Sequence, residues 1–275
     1  MTTIAAYLSF DRLGASAVTL VSDSRVTWTD ANRNIVERYN HSQKLFCLNK
    51  SATIFGYCGN SLFSLAAISQ ISAALDFSTE FIRSECMAEK ARLVQEMLSS
   101  AAVDYPKDPE FDKTHLIQVS RIGKEFHVYE FSYNESKQSF EGRSVLLPSG
   151  AESEFIKAWG TGRASYKRIK DSMATLNNGK SARIFFRSLV LHLKHEIDSF
   201  SGGAPQMMVL RREKPPFPVG VYYWGSAYLL GLPYTAGQPL RKVEFRNEKY
   251  EFVDFNGTRR SHSQQHGYID WRPDA

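Results

Sequence analysis

A chain of 275 residues with 43% hydrophobic and 23% charged side chains has the composition of an ordinary folded protein, which excludes extensive disorder and allows one large domain or two small ones. Its formal charge of +5 is dispersed, with Lys and Arg scattered among Asp and Glu, so no basic run points to nucleic acid or a membrane surface. Cys47, Cys58 and Cys86 are an odd count at irregular spacing and read as reduced thiols of a cytoplasmic protein; no leader-like basic and apolar start and no stretch of membrane-spanning length is present.

Residues 3 to 10 and 17 to 22 are apolar and β-rich around an Asp-Arg-Leu-Gly turn, which predicts a hairpin close to the chain start. A polar loop is expected over residues 28 to 42, followed by a second β pair in KLFCLNKSATIFGYCG with its turn at Asn49-Lys50. From 61 to 75 the apolar residues fall at helical intervals, and a second helix is expected from about 88 to 102. The period then returns to β in HLIQVSRI, EFHVYEFSY, QSFEGRSVLL and EFIKAWG, with Gly123-Lys124 as a hairpin turn. Helices follow at 163 to 176 and 181 to 197, then strands PQMMVLRR and VGVYYW. Strands, two helices, strands, two helices and strands together predict an α+β layered protein, with helix pairs covering the outer faces of packed antiparallel sheets. Residues 1–225 form this unit. Residues 226–275 read as a C-terminal extension with one hairpin, RKVEFRNEKYEFVDF, and a polar, loose end.

Chemistry gathers at a few places. Removal of Met1 by an aminopeptidase would leave Thr2 with a hydroxyl and a free α-amine on one residue, a nucleophile carrying its own base. Asp23-Ser24-Arg25-Val26-Thr27 ends a strand, Lys44 opens one, Gly56-Tyr57-Cys58-Gly59 leads into a helix, Gly160-Thr161-Gly162 precedes another, and Asp198-Ser199-Phe200-Ser201-Gly202-Gly203 ends the last helix. His192, His195 and Glu196 stand three and four apart on that helix, a spacing that can hold a metal, yet no Cys or Asp ligand lies at metal-site spacing nearby; neither a metal nor a cofactor is expected.

In order and spacing, over residues 2 to about 212, these features resemble the proteasome β-subunit family, including its bacterial HslV-type relatives, among the N-terminal-nucleophile hydrolases. The resemblance implies a four-layer αββα sandwich and a threonine-type amide hydrolase acting on peptides or proteins. It implies Thr2 as nucleophile, Lys44 beside its hydroxyl, Asp23 holding Lys44 charged, the Gly59 N–H as oxyanion donor, and Asp198 with Ser201 orienting the amine. Thr161 stands where the family has Ser, keeping the hydroxyl but adding a stiffening methyl. A homo-oligomer of stacked rings served by an ATPase partner is also implied, although the insertion at residues 11 to 16, the long loop after Thr27 and the extension past 225 leave ring formation open. Two other readings stand beside this one: a small-molecule amidase or acylase on the same fold, and a catalytically silent ring subunit or binding module.

Overall fold

The first strand lies inside the larger of two main sheets, and its composition explains why. In β1 (Thr3–Asp11), Ile4, Ala6 and Leu8 face one core while Ala5 and Tyr7 face another, so the strand is apolar on both sides. The computed structural model describes residues 2–32, 34–107, 110–176, 181–234 and 243–263. Met1, whose removal the threonine chemistry requires, lies outside the described residues, as do Arg241 and Lys242 of the predicted final hairpin and the end of the chain from residue 264.

Along the chain, β1 turns back into β2 (Gly14–Ser22), and β3 (Val26–Thr29) pairs with β4 (Ile35–Tyr39). Strands β5 (Leu45–Cys47) and β6 (Thr53–Cys58) lead to helices α1 (Ser61–Phe77), α2 (Thr79–Arg83) and α3 (Met87–Ala102). Four strands follow: β7 (His115–Ile122), β8 (Glu125–Asn134), β9 (Ser139–Val145) and β10 (Glu154–Gly160). After α4 (Arg163–Leu176) and α5 (Ala182–Lys194) come β11 (Gln206–Arg211), β12 (Phe217–Tyr223), β13 (Ser226–Leu229), β14 (Leu232–Pro233), β15 (Phe245–Asn247) and β16 (Phe252–Val253).

The larger sheet runs β10-β1-β2-β11-β12-β13-β14, with β15 parallel to β12 and β16 beside β15; the smaller is β5-β6-β7-β8-β9. Ile4, Leu20, Ile54, Ile117 and Met208 fill the space between the sheets. Tyr57, Ile68, Val94, Leu116 and Phe131 form the core under α1 and α3, and Tyr7, Tyr166, Phe185, Leu189 and Met207 the core under α4 and α5. The result is the expected four-layer αββα sandwich. At one rim a buried carboxylate joins the sheets. Glu130 on β8 is 2.5 Å from Lys157 Nζ on β10 and 3.2 Å from both Arg143 on β9 and His115 Nδ1 on β7. Burial alone would raise the Glu130 pKa, but its hydrogen bonds from His115, Lys157 and Arg143 outweigh burial and lower it.

The differences from the sequence expectation are local. The stretch 28 to 42 is not a plain loop but carries most of the β3–β4 hairpin, closed by Asp30, whose carboxylate accepts from Asn32 N and Asn34 N. Helix α2 was not anticipated; Ser78 caps it by accepting from Phe81 N. Helix α5 stops at Lys194, short of 197, although Ile197 still packs against Ile169, Met173, Ile184 and Leu191. Asp198 therefore lies in a turn beyond the helix. Past residue 225 the chain stays on the larger sheet, since β13 and β15 both hydrogen-bond to β12. No helix among the described residues is long and apolar enough to cross a membrane.

Candidate active site

Asp23 organises the site because it lies where β2 stops pairing and the chain bends away. Its Oδ2 accepts from Arg25 N at 3.0 Å, a local turn that frees the carboxylate from the strand, and from Gly202 N at 3.1 Å across the fold. Oδ1 accepts from Thr2 Oγ1 at 2.9 Å, Thr3 N at 3.1 Å and Lys44 Nζ at 2.9 Å. Five donors from four chain segments thus converge on one carboxylate. Thr2, Asp23 and Lys44, separated by 21 and 42 residues from Thr2, are 1%, 0% and 0% exposed.

Lys44 Nζ also hydrogen-bonds Thr2 Oγ1 directly and reaches Arg25 O at 2.5 Å. Three acceptors match the three N–H groups of an ammonium ion. Burial pulls the Lys44 pKa below the ordinary lysine value and the Asp23 carboxylate opposes that pull, so the resting ammonium gives up its proton more readily than an exposed lysine. Gln206 fixes the backbone around it: Oε1 accepts from Lys44 N at 3.0 Å, and Nε2 donates to Ser42 O at 2.7 Å and Asp23 O at 3.1 Å. Arg25 adds an outer brace, reaching Asn40 Oδ1, Ser199 O and Glu196 Oε1 at 2.9, 3.2 and 2.9 Å.

Asp198, Ser201 and Thr161 form an adjoining cluster. Asp198 Oδ2 accepts from Thr161 Oγ1 at 2.6 Å and Ser201 Oγ at 2.8 Å, while Oδ1 accepts from Phe200 N at 3.2 Å. Ser201 Oγ lies 2.7 Å from Thr3 Oγ1, so this cluster meets the chain at the residue after Thr2. Thr3 Oγ1 is also 3.0 Å from His192 Nε2. His192 turns inward and Glu196 turns to Arg25, so the two do not converge on a shared ligand position. Thr3 and Gln206 were given no role from the sequence; Arg25 was named there only within the Asp23–Thr27 strand end, and His192 only as part of a metal-spaced cluster. For His192 a signal existed, since it follows Phe185 and Leu189 by seven and three positions on the buried face of α5.

Gly59, with φ +100°, directly precedes Asn60, whose side chain caps α1 by accepting from Phe63 N at 2.9 Å. A Cβ there would meet Lys113 O at 2.5 Å and Thr114 Cα at 2.6 Å. Two clefts meet at this glycine. One of about 480 Å³ is lined by Val26, Trp28, Tyr39, Leu62 and Leu65, and the other of about 360 Å³ by His115, Gly160, Thr161 and Arg163. Cys58 beside it is 1% exposed, and burial pushes its thiol up to about 12, which makes it a packed residue rather than a nucleophile.

No family model and no curated protein matches the chain. Solved structures do. The Gly-1 mutant of Anbu from Hyphomicrobium sp. strain MC1 aligns over 79% of this chain and 86% of its own, with a TM-score of 0.51 at 15% identity. Thiobacillus denitrificans BPH in complex with epoxomicin aligns over 78% of this chain and 100% of its own, with a TM-score of 0.50 at 13% identity. At these identities the likeness is one of fold: the αββα sandwich is that of proteasome-type proteins.

Proposed function

We propose that the chain is a threonine-type amide hydrolase acting on peptides, with Thr2 as nucleophile once nothing precedes it. The observation that carries this reading is the buried contact of Thr2 Oγ1 with Lys44 Nζ and Asp23 Oδ1. Thr2 Oγ1 attacks the amide carbon and its proton passes to the freed Thr2 α-amine. The Lys44 ammonium stabilises the developing alkoxide, and Asp23 keeps that ammonium aimed. Charge on the carbonyl oxygen is met by the Gly59 N–H at the entry to α1. The α-amine returns the proton to the leaving nitrogen as the C–N bond breaks. Water then attacks the Thr2 ester, releasing the acid and restoring the hydroxyl. Asp198, Ser201 and Thr161 support the N-terminal strand through Thr3 and serve the amine once it is free.

Peptide substrates are favoured over small amides by the apolar cleft that opens at Gly59. The protein acts as a homo-oligomer, of ring form if the insertions permit, and an ATPase partner belongs to the same reading. Intact mass is the test. Protein purified from its source is expected to lack the initiator Met1, to gain one equivalent of a threonine-directed electrophile, and to cleave fluorogenic peptides faster than acyl amides. Epoxomicin, held by the Thiobacillus denitrificans BPH, is the first compound to try. Retention of Met1 on a fully folded protein that takes up no label would overturn the reading in favour of a silent subunit.

A further inference from the structure

His192 is a buried titratable group to which the proposed reaction gives no task, and its hydrogen bonds can be assigned by counting protons. Asp198 Oδ2 accepts two hydroxyls, from Thr161 and Ser201, and Oδ1 accepts the Phe200 N–H, a donor set that suits a carboxylate with no proton to give. The Ser201 proton is thereby committed to Asp198. The 2.7 Å contact between Ser201 Oγ and Thr3 Oγ1 must then use the Thr3 proton. With that proton committed, the 3.0 Å contact between Thr3 Oγ1 and His192 Nε2 requires a hydrogen on Nε2. His192 Nδ1 is buried with no hydrogen-bond partner among the described residues, so a second ring proton would have nothing to donate to. Burial of the ring also holds its pKa below the usual histidine value, against the pull of Asp198 and Asp23.

The chain of hydroxyls therefore has one direction: His192 donates to Thr3, Thr3 to Ser201, and Ser201 to Asp198. Gly162 passes directly over it, since a Cβ there would run into Thr3 Oγ1 and lie 2.6 Å from His192 Nε2 and 3.0 Å from Asp198 Oδ2. Thr3 is held at its backbone as well, by Asp23 Oδ1 at its N–H and by the Asp23 N–H at its carbonyl, 3.1 and 3.2 Å away. The residue peptide-bonded to the nucleophile is thus gripped on three sides.

We propose that His192 is a positioning residue of the threonine site, which as a neutral Nε2–H tautomer donates to Thr3 Oγ1 and sets the direction of the Thr3–Ser201–Asp198 chain that holds Thr2 in register. The role in turnover rests on the threonine-hydrolase reading; the tautomer does not. A displacement of the nucleophile by an ångström can cost about 100-fold in rate. His192→Phe, which fills the space but removes the donor, is expected to lower kcat about 10- to 100-fold with KM little changed. His192→Gln, whose Nε2 can donate from a similar place, recovers most of the loss. In a Thr3→Val background, which lacks the hydroxyl, His192→Phe adds little further loss.

Nitrogen-15 NMR of the unmutated protein at neutral pH reads the ring directly and is expected to show a protonated Nε2 and a bare Nδ1. A protonated Nδ1, or a His192→Gln protein no better than His192→Phe in the presence of normal unfolding midpoints, overturns the proposal. If the unmutated protein neither turns over peptides nor takes an electrophile, the hydrolase reading fails while the ring spectrum still decides the hydrogen-bond chain.

Discussion

Replacing Lys44 by Met should separate what the ion pair does for folding from what it does for chemistry. At 2.9 Å and an effective dielectric of about 20, the attraction between Lys44 Nζ and Asp23 Oδ1 is of the order of 6 kcal/mol before desolvation is subtracted. Removing one member of a buried pair typically costs about 3–5 kcal/mol, chiefly because the other charge is stranded. Here Asp23 keeps Thr2 Oγ1, Thr3 N, Arg25 N and Gly202 N, so the expected loss is at the low end, about 3 kcal/mol. Asp23→Asn is worse. However its amide is turned, an NH2 faces N–H groups that had a carboxylate oxygen, either Arg25 N and Gly202 N or Thr3 N and Lys44 Nζ. Two lost bonds to a charged acceptor at about 1.5–3 kcal/mol each give roughly 3–6 kcal/mol, with the lysine left unpaired besides. Activity should follow a different order, since Lys44→Met removes the charge next to the attacking oxygen and should lose about 10²–10³-fold in electrophile labelling at temperatures where it is folded. Urea midpoints give the first quantity and labelling followed by intact mass the second. A Lys44→Met protein that labels at the normal rate, or that unfolds more easily than Asp23→Asn, refutes the account of the site.

Thr2→Ala should abolish labelling and turnover while lowering stability by about 1.5–3 kcal/mol, since the lost hydroxyl both donates to Asp23 and accepts from Lys44; Thr2→Ser should retain measurable labelling. Gly202→Ala forces a methyl into the Arg25 guanidinium, which is 5% exposed, and should cost about 1–3 kcal/mol by denaturant titration. For pH, Lys44 has a lowered folded pKa, so between that value and the ordinary lysine value the unfolded chain binds more protons and stability rises with pH. Subtracting the Lys44→Met curve from that of the unmutated protein should isolate this rising slope in alkaline solution. Glu130 gives a slope of the same sign in acid: its lowered folded pKa gives stability that is present above the usual glutamate value and lost as pH falls through and below it. Glu130→Gln should flatten the acid limb of a pH-dependent melting series, and an unchanged limb would count against the cross-sheet clamp.

The layered architecture was legible because its elements are strongly periodic and most have plain stops. β10 and α4 match their predicted bounds. The β3–β4 hairpin was hidden because Asp30, Asn32 and Asn34 read as loop residues when they in fact close a turn. At the site, the convergence of Thr2, Asp23 and Lys44 could be expected only from family resemblance, since no local period links positions 21 and 42 residues apart. Thr3 resembled an ordinary strand residue, and its inward hydroxyl became visible only once β10, α5 and the Asp198 turn were packed around it.

Asp23 draws on residues near the start of the chain and on Gly202, and β2, which carries it, is flanked on one side by β11. A copy still on the ribosome with everything through α4 already made has its leading threonine and its lysine but lacks the amide of Gly202, the Gln206 tether and the neighbouring strand. On the proposed reading, the site's contacts are therefore complete only once the last third of the polypeptide has been made, and shorter copies carry Thr2, Asp23 and Lys44 without the bonds from Gly202 and to Gln206.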